Sequence, residues 1–128
     1  MNVERKFGEG TELIWHDRKR WCGMPLSFTR YYLVRKPGQW VKVFSNIGLL
    51  YSSVNEINLY RIYDISLHQS LTGKIFNTGN VILLSNDESN PRFVLRNVKN
   101  PFQVREIFSN LIEEQRKLNN VRVSEFQV

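Results

Sequence analysis

The chain has 128 residues, enough to bury one core and too few for two, and its 41% hydrophobic, 12% aromatic and 23% charged composition is that of a folded globule. Eighteen Lys and Arg against twelve Asp and Glu leave a net charge of +6, which favours anionic partners such as nucleic acid or an acidic membrane surface. A lone cysteine, Cys22, excludes an internal disulfide and a thiolate metal site, and beside Trp21 it reads as a buried, inert thiol.

Residues 1–10 are polar and punctuated by Gly8 and Gly10, a loose lead-in to a domain expected over 11–118. Leu13, Ile14 and Trp15 begin ordered structure, followed by the charged turn Asp17-Arg18-Lys19-Arg20 and a break at Gly23-Met24-Pro25. Residues 28–35 are rich in aromatic and β-branched side chains and read as a strand. Lys36-Pro37-Gly38-Gln39 has Pro second and Gly third, the type II preference, so residues 40–45 return antiparallel. A tight turn would set Arg35 against Trp40 as a cation–π pair worth ~0.5–1 kcal/mol.

Asn46-Ile47-Gly48 interrupts, and residues 49–57 make the next strand, with Leu49, Tyr51 and Ile57 on one face and Leu50 and Val54 on the other. After Ile57 and Leu59 the alternation slips. Leu59 and Ile62 lie three apart, so Leu59-Tyr60-Arg61-Ile62 reads as a turn that keeps both side chains in one core, before Ile65 and Leu67 resume a strand. Residues 81–84 are apolar on both faces, a strand buried on two sides. Residues 86–91 form a polar loop, and residues 92–95 a short strand with Phe93 and Leu95 inward. The first convincing helix comes last: Asn100 suits the N-cap, Pro101 the first turn, and Gln103 a capping box. Val104, Ile107, Phe108, Leu111, Ile112 and Leu118 then give a wide apolar face over 101–118, with Glu113 and Lys117 as an i,i+4 pair. Residues 119–128 alternate and are expected as a tail, either an edge strand or disordered.

Leu59-x-Arg61-Ile62-x-Asp64-Ile65-Ser66-Leu67, with Ser70-Leu71, Ile75-Phe76 and Gly79-x-x-Ile82 behind it, resembles the signature region of the bacterial pleckstrin-homology-like domains. Upstream, Asp17-Arg18-Lys19-Arg20, the run from Gly23 through Thr29 and Gly48-Leu49-Leu50 resemble the short single-domain members, as does Val98-Lys99-Asn100-Pro101 downstream, so the likeness spans roughly 12–117. It implies a mainly β fold: a partly open barrel of about seven antiparallel strands in two roughly orthogonal sheets, capped by the C-terminal helix. An apolar helix face with only strands to cover it leads to the same closure. The expected core is Trp15, Leu59, Ile62, Ile65, Phe76, Ile82, Phe93, Ile107, Phe108 and Leu111.

No catalytic motif belongs to that family, and the residues supply none. Asp64, Ser66 and His68 share a strand face, but Ser66 stands between the other two, which lie about 13 Å apart at roughly 3.3 Å per residue. His16 and His68 lack metal-ligand spacing, so no cofactor or metal is expected, and no enzyme. The expected function is a binding or scaffolding module for an unknown protein partner or self-association, using strand edges. The alternative is peripheral binding to anionic lipid headgroups through Arg18, Lys19, Arg20, Arg35, Lys36 and Lys42. Nucleic acid ranks last: aromatic and basic residues interleave at Arg30-Tyr31-Tyr32 and from Trp40 to Phe44, but strand aromatics more often pack in a core. No apolar run reaches membrane-spanning length and the start Glu4-Arg5-Lys6 is charged, so a cytoplasmic protein is expected, with any membrane attachment peripheral, at the inner face.

Overall fold

Two arrays of alternating strands meet at Leu59 and Ile62. The computed structural model describes residues 3–24, 27–48 and 53–126, with the side chains of residues 53 and 121–126 left aside. Strands β1 (Glu12–Arg18), β2 (Arg30–Lys36), β3 (Trp40–Ile47) and β4 (Ser53–Asn58) form one antiparallel sheet in sequence order, and β5 (Ile62–His68), β6 (Thr78–Ser85) and β7 (Arg92–Lys99) form a second. A single 3-10 turn, Leu59–Arg61, joins them, and it buries Leu59 and Ile62 completely in the same core, as their spacing requires. At the opposite corner the sheets meet through a few separate hydrogen bonds and no strand ladder: Asp17 Oδ2 accepts from the Lys99 N–H at 2.8 Å, Asn97 O from the Arg20 N–H at 3.0 Å, and Tyr31 Oη from the Arg96 N–H. The barrel is therefore not closed.

Helix α3 (Pro101–Phe126) covers one end of this barrel. Val104, Phe108, Leu111 and Ile112 point into the core with Leu33, Val43, Val81, Leu83 and Leu95, and Trp15 meets the Phe108 ring edge-on at 5.7 Å. Trp15, Ile65 and Ile107 are half-buried against the same core, and Leu118 lies outside it, exposed. The helix continues through 119–126, where the sequence suggests a tail. Asn100 has a left-handed φ of 52°; its carbonyl takes the first helical bond, from Val104, and its side-chain oxygen is engaged by Asn77 Nδ2.

The lead-in differs from expectation as well. Val3–Phe7 form a short helix, α1, whose Phe7 ring lies 5.4 Å from Tyr32 and 4.7 Å from Phe44. Tyr32, Val34 and Phe44 on the outer face of the four-stranded sheet thereby gain a cover, so β2 is buried on both faces. At the β2–β3 hairpin Gly38 takes φ +75° and the Gln39 N–H bonds Lys36 O at 2.9 Å, the type II geometry its sequence asks for. That turn pairs Trp40 with Lys36 and sets Arg35 against Val41, so the expected Arg35–Trp40 contact is replaced by Lys42, whose Nζ lies 4.8 Å over the Trp40 ring from two residues along the same face. The strand expected from residue 28 begins at Arg30, and Leu49, Leu50 and Tyr51 lie outside the described residues.

One expected core residue is outside the core. Ser70 accepts the Gly73 N–H at 3.1 Å, an N-cap that starts a second short helix, α2 (Leu71–Phe76), where no helix was expected. On it Phe76 is 40% exposed, its ring beside Gly23 rather than among the barrel side chains.

Candidate binding surface at the open end of the barrel

The β1–β2 connection and α2 form one surface at this end. Trp21 and Met24 exchange both backbone hydrogen bonds, at 2.8 and 2.9 Å, around Cys22 (φ 48°) and Gly23 (φ 80°), a turn with two left-handed central residues. Cys22 is consequently exposed rather than buried. Gly23 is needed twice: for its φ, and because a Cβ there would stand 3.1 Å from the Phe76 ring. On α2, Gly73 lets the helix lie on β6, since a Cβ would come 2.5 Å from the Thr78 carbonyl oxygen. Asn77, at φ 53°, ends the helix in the left-handed conformation.

These constraints turn apolar side chains outward. Trp21 is 70% exposed, Leu71 77% and Ile75 71%, with Met24, Phe28 and Phe76 also open to solvent; among the described residues these six are the majority of the exposed large hydrophobics. The sequence around them contains no carboxylate: residues 18–30 carry Arg18, Lys19, Arg20 and Arg30, and residues 69–80 carry Lys74. Arg20 is committed to structure, donating to Asp17 Oδ1 at 3.0 Å and to Gly23 O at 3.2 Å.

The six basic residues singled out in the sequence do not form one group. Arg18, Lys19 and Arg20 stand at this end; Arg35 and Lys36 stand at the other, beside Glu114 and Gln115 of α3. Arg18 pairs with Arg30 and Glu12 with Arg35, so the two sets are separated by five residues of β2, roughly 17 Å. Lys42 lies on the sheet face, 3.7 Å from Glu56. Of the aromatics that could stack a base, Tyr31, Tyr32 and Phe44 are buried.

Along β7 from the hydrogen bonds of Lys99 and Asn97, toward Arg92, the two sheets part, leaving a cleft of about 390 Å³. One wall is the inner face of the four-stranded sheet, with Tyr31, Ser45 and Asn55; the other is the outer edge of β7, where the consecutive residues Arg92, Phe93 and Val94 all reach the opening. Lys19, Arg92 and Arg96 line it and no carboxylate does. Tyr31 Oη accepts the Arg96 N–H across the gap at 3.0 Å. Burial raises the Tyr31 phenol above its usual pKa, against a smaller lowering by Arg96, so the hydroxyl keeps its proton. Arg92 and Arg96 were missed in the sequence because their strand position gave no hint of Lys19 across a gap.

A second groove, about 410 Å³, runs between β5 and α3, lined by the consecutive residues Ile62 to Ile65 and by Ile112, Glu113 and Arg116. Four neighbours in a row can line one groove only where a strand is open edge-on. Here Asp64 Oδ1 accepts the Ile65 N–H at 2.9 Å, filling one backbone position on that edge. Among the described residues no helix is long and apolar enough to cross a membrane, and no three potential metal ligands gather.

Comparison with curated proteins and with solved structures gives no match. The family model for the bacterial PH domain matches residues 26–112, well over half of the chain. Seven antiparallel strands in two unclosed sheets with a C-terminal helix agree with that match, and the chain belongs to the bacterial PH domain family.

Proposed function

We propose that this binding module is non-enzymatic and docks on anionic membrane surfaces through the open end of its barrel. The observation that carries this reading is the gathering of Trp21, Met24, Leu71 and Ile75, exposed, on two segments whose only charged residues are cations. An apolar tip ringed by Lys and Arg matches a bilayer, whose acyl boundary takes the first and whose acidic headgroups take the second. Each cation near an acidic leaflet contributes on the order of 1 kcal/mol, and each large side chain fully removed from water about 1.5–3 kcal/mol. Several of both are enough for reversible attachment without a spanning segment.

Co-sedimentation with phosphatidylglycerol-containing and purely phosphatidylcholine vesicles tests it. Binding is expected to the anionic vesicles and to weaken as salt rises, because surface charges are screened. Equal binding to both, or none to either, would remove the membrane from the account.

The β5–α3 groove supports a second reading, in which an extended segment of a partner protein adds to the β5 edge. It ranks behind the first because Asp64 already occupies the Ile65 N–H that an added strand would use. A partner bound there would be displaced by Ile65→Pro, which removes that N–H, and untouched by changes at Trp21 or Leu71.

A further inference from the structure

We infer that the cleft between the β7 edge and the inner face of the four-stranded sheet is a binding site for a phosphate monoester. Lys19, Arg92 and Arg96 bring three positive charges to one opening of about 390 Å³, and none of its lining residues is acidic. Among the described residues no carboxylate comes within ion-pair distance of these three side chains. Arg92 and Arg96 stand four residues apart on β7, about 13 Å at roughly 3.3 Å per residue, and Lys19 faces the same opening. Three such cations without a counter-ion are answered more fully by a ligand carrying close to two negative charges at neutral pH, as a phosphate monoester does, than by a monocarboxylate. The two arginines supply planar donor forks that match phosphate oxygens.

The remaining lining is mixed, with Ile47, Phe93 and Val94 apolar and the other side chains polar. Asn55 on β4 and Asn90, whose amide donates to the neighbouring Glu56 carbonyl at 3.5 Å, present amides, while Ser45 on β3 and Thr29 just before β2 present hydroxyls. Tyr31, on the floor, accepts from the Arg96 backbone and retains its own proton as a donor. The size falls in the range of small-ligand pockets. The two aromatic side chains of the lining, Tyr31 and Phe93, are buried, so no exposed ring offers a base a stacking partner.

Two sources carry this chemistry, a soluble phosphate ester and the headgroup of a monoester lipid such as phosphatidic acid. The site shares Lys19 with the membrane reading, but its two arginines lie on β7 and not on the apolar segments.

Titration of the ¹⁵N-labelled protein with inorganic phosphate and then glycerol 3-phosphate, followed by amide spectra, tests the site. Saturable shifts are expected at Asn55, Asn90 and Arg92, and the double variant Arg92→Gln/Arg96→Gln should weaken binding at least about tenfold. Both arginines are exposed, and the variant keeps the Arg96 N–H bond to Tyr31, so the fold is retained. The second arm compares phosphatidic acid with phosphatidylglycerol vesicles at equal surface charge. Preference for phosphatidic acid that disappears in the double variant assigns the site to a headgroup; saturation by glycerol 3-phosphate without that preference assigns it to a soluble ester. Absence of saturable shifts together with equal binding to the two vesicle types overturns the inference, as do shifts that persist in the double variant. Trp21→Ser/Leu71→Ser should leave the phosphate shifts in place, so failure of membrane docking is read separately.

Discussion

Phe108 and Leu59 anchor the closed end of the barrel, both fully buried and both recognisable from spacing alone. Truncating either to Ala leaves a cavity between helix and sheets and should cost about 2–5 kcal/mol in denaturant melts; near-neutral values would show that the helix does not close the core. Tyr31 gives a pH test of the cleft floor. Below its unfolded pKa of 10.0 the phenol is protonated in both states and its contribution to stability is complete. As pH rises past 10.0 the unfolded chain releases the proton first, so stability falls through the raised folded pKa. Chemical denaturation at pH 9 and at pH 10.5 should show this loss in the wild type and less of it in Tyr31→Phe. Residues such as Phe108 were legible because a helix period names its own buried face. Phe76 was not: apolar character marks a side chain that can be buried, and Phe76 reads as core until the Ser70-capped helix places it at the surface beside Leu71 and Ile75.

Among the elements, α2 decides the character of the open end. Ser70→Ala removes its cap and should cost about 1 kcal/mol. Gly73→Ala opposes two effects: Ala favours a helix by up to about 1 kcal/mol, but its Cβ would stand 2.5 Å from the Thr78 carbonyl oxygen, which belongs to β6 and cannot rotate aside. Overlap wins, and a lower denaturation midpoint is expected; a stabilised variant would mean that α2 does not rest on β6. The strands and the 3-10 turn followed from alternation and its single slip, and the hairpin from Pro37 and Gly38. The extension of α3 beyond residue 118 did not, because Asn119-Asn120 reads as a stop and an alternating run reads as a strand. Helix α1 was hidden for a related reason: a short helix is held by what it covers, here Tyr32 and Phe44, and sequence alone does not show an uncovered sheet face.

At the scale of the whole molecule, the net charge of +6 is less informative than where the charges stand. Register divides the basic residues between two ends of β2, and one sequence does not fix register, so the sequence could name Arg18, Lys19 and Arg20 without showing that Arg35 and Lys36 lie elsewhere. The open end combines exposed apolar tips with cations; the other end places Arg35 and Lys36 next to Glu114. The most direct test of docking through the open end is therefore a comparison of two double variants on the same phosphatidylglycerol vesicles at about 0.15 M salt. Trp21→Ser/Leu71→Ser should lose most of the binding while Arg35→Glu/Lys36→Glu, at the far end, keeps most of it. The reverse pattern would contradict the account and move the membrane contact to the β2–β3 hairpin.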